Sequence, residues 1–343
     1  AIAADADAAR IAGHDVAVYN RTRSKAESLV AHGARVAASP RDAAEGAEAV
    51  FSMVSDDEAS RASWFGEAGA LAGNVRPGAY AIECSTLSHD WVLELAAAAA
   101  AKGLRYIDCP VTGLPDVAAA GTLTLFVGAD TADLAGVRPL LQPLCAEIVH
   151  FGAVGAGNAY KLMINLMGGV QIAAAAEGMA IAEKAGLDLN LVAATIAKGQ
   201  AASPQVVRTA RRIAENAHDR DIVFAGRLRL KDVEYAMRLV EKLAIDAAFG
   251  EAARQAYRTL VARGLGDLNE SKVIAVAPTA AYPANSFNPI ASPRLRGPTR
   301  SILLTTVTKN SWSTCADRHT SSVSINSRAR RRLFSSAPRP AAA

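Results

Sequence analysis

The stretch GAGNAYKLMIN, residues 155–165, marks the point at which this sequence changes character. Before it, from residue 15 to about 151, short runs rich in β-branched residues alternate with stretches of helical periodicity. After it, alanine-rich segments with helical periodicity continue to about Val276 without a convincing strand. The sequence therefore predicts an α/β, Rossmann-like, doubly wound parallel sheet followed by an all-α domain.

The first half contains six candidate strands. The ranges predicted as strands are 15–20, 49–55, 79–85, 105–111, 122–129 and 146–152. The predicted helices include Ser24–His32, His89–Lys102 and, in the second half, Asn158–Ala185. Because ligands of such sheets bind at the carboxyl ends of the strands, the polar segments that follow the strands are candidate binding segments.

The composition is that of a globular metabolic protein. Of the 343 residues, 51% are hydrophobic and 20% charged, which suits two domains with sizeable cores. We expect a cytoplasmic protein without a membrane partner, because there is no uncharged apolar run of about 18 residues and the first residues include acids. The four cysteines lack CxxC spacing and the six histidines lack paired ligand spacing, so we expect buried thiols and no metal site.

The charge is divided unevenly along the chain. The net charge of +4 comes from a tail, residues 277–343, that carries +9, whereas the rest of the chain carries −5. A mildly acidic body favours an enzyme and no nucleic-acid partner. The tail is rich in Ser, Thr, Pro and Arg and is predicted to be disordered, with a basic arm for nucleic acid as the alternative. The predicted domains are 1–153, 154–276 and 277–343.

The segment after the first candidate strand carries a cofactor signal. In dinucleotide-binding folds the residue that ends the second strand meets the adenosine ribose, and an acid there accepts the 2′-hydroxyl of NAD. Asn20 occupies that position and is followed by Arg21 and Thr22. A neutral residue beside a guanidinium suits a 2′-phosphate, which favours NADP, with NAD and an ordinary solvated turn as the alternatives.

Two polar residues of the opening stretch share one helix face. Lys161 and Asn165 are four residues apart, so both project in the same direction. A single lysine on a helix is usually solvated, and this spacing alone does not make it catalytic.

Eight segments, taken in order over about residues 9–275, resemble the β-hydroxyacid dehydrogenase family, which includes 3-hydroxyisobutyrate dehydrogenases, tartronate semialdehyde reductases and glyoxylate or succinic semialdehyde reductases. The segments are NRT at 20–22, MVSDD at 53–57, ECSTLS at 83–88, DCPVTG at 108–113, AGTLTLFVGA at 120–129, GAGNAYKLMIN at 155–165, LKD at 230–232 and GDLNES at 266–271. The resemblance implies hydride transfer between NADP(H) and a small 3-hydroxy acid or semialdehyde, in a homodimer or homotetramer.

The resemblance also implies roles for single residues. Lys161 matches the catalytic acid/base and Asn165 a neighbour that contacts the carboxylate substrate. Thr112 and Gly113 match the loop that holds the substrate carboxylate. The positions matched to cofactor binding are Asn20, Arg21, Thr22, Met53, Val54, Thr86, Lys231 and Asp232. Burial against apolar helix faces and the charge of Lys231 would lower the pKa of Lys161.

Two features depart from the family pattern. Leu114-Pro115 stands where the family often has a second glycine, which leaves the shape of the substrate open. The opening strand and glycine-rich turn are missing, since counting back about 20 residues from Asn20 reaches the start of the chain. We therefore expect residues 1–343 alone to bind NADPH negligibly and to tend to aggregate, because the backbone N–H groups that hold the pyrophosphate are absent.

Two other functions fit parts of the sequence. An imine reductase of the same architecture would act on a C=N bond, but such relatives generally lack a lysine at the position that matches Lys161. A non-catalytic module could keep the fold and use its basic tail for interactions. Binding of NADPH separates an enzyme from such a module.

Overall fold

The computed structural model describes residues 13–113 and 115–277. The predicted disordered tail, the first twelve residues and Leu114 lie outside the described residues. The strands are β1 (Ala17–Val18), β2 (Arg35–Val36), β3 (Ala49–Ser52), β4 (Tyr80–Glu83), β5 (Arg105–Asp108), β6 (Val111–Thr112), β7 (Leu123–Gly128) and β8 (Cys145–Gly152). The helices are α1 (Arg23–Glu27), α2 (Pro40–Ala44), α3 (Asp57–Trp64), α4 (His89–Ala101), α5 (Pro115–Ala119), α6 (Thr131–Leu141), α7 (Ala156–Lys184), α8 (Leu189–Ile196), α9 (Pro204–Ala214), α10 (Gly226–Lys242) and α11 (Ala248–Ala262). A 3₁₀ segment, Glu270–Val276, follows α11.

The strands form two sheets. β1 and β2 pair in parallel by themselves, and the larger sheet has the order β3-β4-β5-β7-β6 with β8 paired to β7. β3, β4 and β5 are parallel, and their last residues, Ser52, Glu83 and Asp108, lie side by side. Their carboxyl ends therefore meet at one edge, as in the predicted Rossmann-like fold.

The larger sheet is not parallel throughout. β7 runs antiparallel to β5 and to β6, whereas β8 returns parallel to β7. Pro110 has no N–H donor and separates β5 from β6, so the predicted strand 105–111 is divided in two. The chain then turns through the short α5 and comes back beside β6. A parallel return would need a crossover of a dozen or more residues over the face of the sheet.

Short elements near the start of the described chain differ from the prediction. The predicted strand 15–20 pairs only at Ala17–Val18, and its partner β2 was not predicted, because two residues give no alternation that a sequence pattern can detect. The predicted helix 24–32 ends at Glu27 and is followed by a 3₁₀ turn over Val30–His32. Gly33, with φ of +84°, ends this turn in the left-handed conformation.

The second half is helical, as predicted, and is built around α7. The predicted helix Asn158–Ala185 is present with its start moved to Ala156, and α9, α10 and α11 pack along it. Ile172 and Met179 of α7 meet Val233 of α10 in the core of this half. The length and mean hydropathy of α7 would also suit a membrane span, but in this structure the helix packs against its own domain and the sheet.

The side chain of Asp108 joins the two halves. Its carboxylate accepts hydrogen bonds from the backbone N–H groups of Gly155 (2.6 Å) and Asn158 (2.7 Å), at the N-terminal end of α7. Such N–H groups have no acceptor within their own helix, so the end of β5 acts as the cap of α7. Burial raises the pKa of Asp108 to about 6, and the backbone N–H groups oppose that rise.

We predict that Gly128→Ala destabilises the protein, because a Cβ on Gly128 would overlap the Asp108 carboxylate that caps α7. The free energy of unfolding should fall by about 1–3 kcal/mol, the usual cost of overpacking. Gly178→Ala is the matched control, since Gly178 is exposed within α7 and a Cβ there meets nothing within 4 Å. It should leave stability unchanged or raise it by about 0.4–1 kcal/mol. Urea unfolding measures both; equal stabilities of the two variants would contradict the role of the cap.

Candidate active site

Lys161 lies where α7 meets the sheet. Its ammonium group donates a hydrogen bond to the backbone carbonyl of Val111 in β6, at 2.8 Å. Burial lowers the pKa of Lys161 to about 8; Asp232 opposes that change, and Arg229 and Lys231 add to it. An amine with such a pKa can both lose and regain a proton near neutral pH.

A chain of contacts leads from α7 through α10 to the end of β4. The side-chain amide of Asn165 donates to Asp232 Oδ2 at 2.7 Å. The other oxygen of this buried carboxylate lies 2.9 Å from Lys231 Nζ. Lys231 Nζ in turn donates to the carbonyl of Thr86 at 2.6 Å. The structure thus brings together residues from three distant segments of the sequence, namely Thr86, Lys161 with Asn165, and Lys231 with Asp232.

The turn after β3 is held by the turn after β4. The backbone N–H of Val54, next to Met53, donates to Ser85 Oγ at 2.7 Å. Ser85 is fixed in turn by Glu83, which accepts its backbone N–H at 3.1 Å and accepts the indole N–H of Trp64 at 2.8 Å. Glu83 is buried, and burial raises its pKa. Met53 and Val54 are therefore held at the carboxyl edge of the sheet.

The turn after β1 acts electrostatically on the turn after β3. Asn20 Oδ1 accepts the backbone N–H of Thr22 at 2.9 Å, which fixes the turn. Arg21 is exposed and forms no ion pair with another residue of the described ranges. Burial raises the pKa of Asp56, but its hydrogen bonds and the charges of Lys231 and Arg21 together hold that pKa below its usual value. Arg21 and Lys231 therefore act on one carboxylate from two different elements.

Thr112 and Gly113 follow directly on the residue that binds Lys161. Thr112 is exposed in β6, and Val111 before it provides the carbonyl that accepts from Lys161 Nζ. Gly113 has φ of +140°, and a Cβ on it would lie 2.7 Å from Leu123 Cδ2. Only glycine fits this backbone. Of Leu114-Pro115, the departure from the family pattern, Leu114 lies outside the described residues and Pro115 begins α5.

Several residues around the site were not assigned by sequence reasoning. The hydroxyl of Tyr235 accepts the backbone N–H of Asp57 at 3.1 Å, and its ring centroid lies 5.1 Å from Lys231 Nζ. Its spacing of four from Lys231 on α10 was a usable signal. Asp108 belongs to a recognised motif, but its role as a helix cap depends on a contact 47 residues away.

The arrangement suits an anionic dinucleotide. The polar turns after β3 and β4 lie together at one edge of the larger sheet, and the charges of Arg21 and Lys231 both act on Asp56 in the turn after β3. A guanidinium without an ion-pair partner among the described residues is suited to a phosphate group. Within the described ranges, no group of three or more His, Cys, Asp and Glu side chains is arranged to hold a metal ion.

Two family models match the two halves of the chain. The NAD binding domain of 6-phosphogluconate dehydrogenase matches residues 6–152. The model described as NAD-binding of NADP-dependent 3-hydroxyisobutyrate dehydrogenase matches residues 155–277. An oxidoreductase with a nicotinamide cofactor is the class of protein that the fold and these two matches define.

Individual relatives agree with this class. An NAD-dependent L-serine dehydrogenase of Pseudomonas aeruginosa is 32% identical over 76% of this chain and 89% of its own length. The crystal structure of a 3-hydroxyisobutyrate dehydrogenase from Salmonella typhimurium has a TM-score of 0.72 at 25% identity and covers 80% of this chain and 95% of that one. A Mycobacterium tuberculosis 3-hydroxyisobutyrate dehydrogenase solved with L-serine has a TM-score of 0.69 at 31% identity, over 80% and 94%. The chain belongs to the β-hydroxyacid dehydrogenase family.

We predict that the Lys161 ammonium titrates near pH 8, because burial disfavours its charged form. The ¹³Cε chemical shift of Lys161, assigned through Lys161→Arg, measures this over pH 6–11. Asp232→Asn should lower the midpoint further, since the Asp232 carboxylate favours the ammonium form. Asp267→Asn is the control, because Asp267 is 87% exposed and pairs with Arg227. A midpoint near 10.5 in the parent would show that the amine is solvated.

Proposed function

We propose that the protein transfers a hydride between NADP(H) and a small 3-hydroxy acid or the corresponding semialdehyde, with Lys161 as the proton donor and acceptor. The observation that carries the proposal is the position of Lys161. Its amine is held by a backbone carbonyl, has a pKa lowered to about 8, and lies beside Asn165 and Lys231. An isolated surface lysine would have none of these properties.

The residues of the site suit each part of this reaction. The nicotinamide cofactor supplies or accepts the hydride when it is bound. Lys161 gives a proton to the alkoxide that forms at the substrate oxygen, and takes it back in the reverse direction. To do so, its Nζ exchanges the hydrogen bond with Val111 for one with the substrate. Thr112, Gly113 and Asn165 provide hydrogen-bonding groups that fix the carboxylate.

The preference for NADP rests on the turn after β1. Asn20 is neutral and its side-chain oxygen is already used by Thr22, so it cannot act as the carboxylate that accepts a ribose 2′-hydroxyl. Arg21 is exposed beside it and suits a 2′-phosphate. The P. aeruginosa L-serine dehydrogenase is named as NAD-dependent, and NAD is therefore the alternative to test.

L-Serine and 3-hydroxyisobutyrate are the first substrates to test. Both names occur among the relatives, and both molecules combine a carboxylate with a 3-hydroxyl group. Asn165 and Thr112 would bind the feature that they share. Leu114 and Pro115 follow Gly113 in the sequence, and we propose that they select between the 2-amino group of L-serine and the 2-methyl group of 3-hydroxyisobutyrate.

We place the protein in the cytoplasm as a homodimer or homotetramer. In favour of assembly, α7 and the start of α11 leave large apolar side chains exposed: Met163 is 47% exposed, Met167 53% and Phe249 80%. Exposed apolar area of this kind is typical of subunit interfaces. Light scattering in solution measures the mass of the assembly.

Lys161→Ala should lower kcat about 10²-fold or more, the range lost with a general acid, while the affinity for NADPH changes little. Lys161→Arg should be equally inactive, because arginine keeps the charge but does not release a proton at neutral pH. Lys184→Ala, at the exposed end of the same helix, is the control. Turnover and the affinity for NADPH are measured for the parent and for each variant. Parent-like kcat in Lys161→Ala would remove this residue from the mechanism.

Arg21→Ala should reduce kcat/KM for NADPH about tenfold or more and leave the value for NADH nearly unchanged, because only NADPH carries the 2′-phosphate. Arg23→Ala is the matched control, since Arg23 is exposed in the next turn and pairs with Glu27 at 3.0 Å. Equal use of both cofactors by the parent would contradict the proposed preference.

A further inference from the structure

We propose that Arg229 is a positioning residue of the active site: paired with Glu270, it fixes Asn165, and with it Lys161, against α10. This inference rests on the proposed function, since it concerns the residues to which that function assigns the chemistry. Arg229 belongs to none of the motif segments matched in the sequence, and its side chain donates hydrogen bonds to Glu270 and to the backbone of α7. Its effect on the site is indirect, through the backbone of Asn165.

The contacts of Arg229 are those of a buried clamp. The residue is 4% exposed, and its Nε donates to Glu270 Oε2 at 2.7 Å. Its Nη1 donates to the backbone carbonyl of Asn165 at 3.0 Å. The second oxygen of Glu270 lies 3.5 Å from Nη2 of Arg208. The guanidinium thus connects the 3₁₀ segment after α11 to the middle of α7.

The side chain of Arg229 packs against α7 and against Phe224. Gly168 and Gly169 form a notch in α7, where a Cβ would lie 3.5 Å from Arg229 Nη1 and 3.4 Å from Arg229 Cδ respectively. The guanidinium also lies over the ring of Phe224, with its Cζ 4.6 Å from the ring centroid. These packing contacts and the two hydrogen bonds restrict the movement of Arg229 between α10 and α7.

Arg229 and Asp232 together hold Asn165 at two points. They are three residues apart on α10 and project from one face. Arg229 binds the backbone carbonyl of Asn165, and Asp232 binds its side-chain amide. The bond to the carbonyl limits movement of α7 along its axis, and the bond to the amide limits its rotation. Lys161, one turn earlier, is therefore held in position relative to Lys231.

The electrostatic setting supports a positional role. The charged groups that face Lys161 from α10 are Asp232, which raises its pKa, and Arg229 and Lys231, which lower it. Glu270 neutralises most of the charge of Arg229 through their contact. A buried ion pair contributes little net stability compared with a well-packed apolar pair. An apolar pair in place of Arg229 and Glu270 could not form the hydrogen bond to the Asn165 carbonyl.

The experiment compares two double substitutions. Arg229→Met with Glu270→Met removes the buried pair, and Arg227→Met with Asp267→Met removes an exposed pair that joins α10 to the loop just before the 3₁₀ segment. Arg229→Lys is the third variant: it keeps the charge, but its single ammonium cannot reach both Glu270 and the Asn165 carbonyl. Tm, hydrogen exchange of the Asn165 side-chain amide, kcat and KM are measured for each variant, the amide signal being assigned through Asn165→Asp.

We expect the buried double variant to keep a Tm near that of the parent, because both charges leave together. Its Asn165 amide should exchange about tenfold faster or more, and kcat should fall about tenfold or more while KM for the cofactor stays within about twofold. Arg229→Lys should show the same faster exchange and the same lower kcat. Because this variant keeps the charge, those effects would be due to the missing hydrogen bond to Asn165. The exposed double variant should match the parent in every measurement.

Unchanged amide exchange in both Arg229 variants would overturn the proposal, whether or not turnover is seen. If the parent has no turnover, the proposed function fails while the exchange measurement still decides the role of Arg229. If the buried double variant does not fold, the comparison of Arg229→Lys with the parent decides it. Faster exchange together with parent-like kcat in Arg229→Lys would also count against a positioning role.

Discussion

The hydrogen bonds from the start of α7 to the carboxylate of Asp108 are the contact on which the rest of the site depends. They place the N-terminal end of the helix at the carboxyl end of β5, where a doubly wound sheet binds its ligands. Asn158 lies three residues before Lys161 on the same helix. Because α7 is rigid, capping its first turn also sets the direction of Lys161 in the second. Gly128 makes room for this carboxylate, which explains its place at the end of β7.

The second constraint is α10, which contributes four side chains to the site from two helical turns. Arg229 and Asp232 hold Asn165, Lys231 binds the Thr86 carbonyl, and Tyr235 binds the backbone of α3 through Asp57. A single helix thus contacts α7, the turn after β4 and the start of α3. The balance of charge in this group governs the site: two cations and burial lower the pKa of Lys161, and Asp232 limits the change.

The fold followed from sequence patterns wherever elements were long. The alternation of strands and helices, the change of texture at residue 155 and the length of α7 were all predicted, and the family matches confirm the Rossmann-like half and the family itself. Two-residue strands and the reversal of β7 were missed, since they depend on pairing with distant segments rather than on local periodicity. The four-residue spacing placed Lys161 and Asn165 on one helix face, but their roles, like those of Lys231 and Asp232, came from the family resemblance.

By itself the sequence determined which residues were available for chemistry: a lysine and an asparagine on one helix face, a neutral residue beside an arginine after a strand, and glycines at strand ends. Periodicity and spacing are local properties, so they can be obtained from the chain alone. Only the tertiary structure decided that the Lys161 amine is partly buried against Val111, that Asp108 caps α7 and that Arg229 binds the backbone carbonyl of Asn165. These contacts join residues between 47 and 64 positions apart, and their strength comes from burial, which no local pattern records.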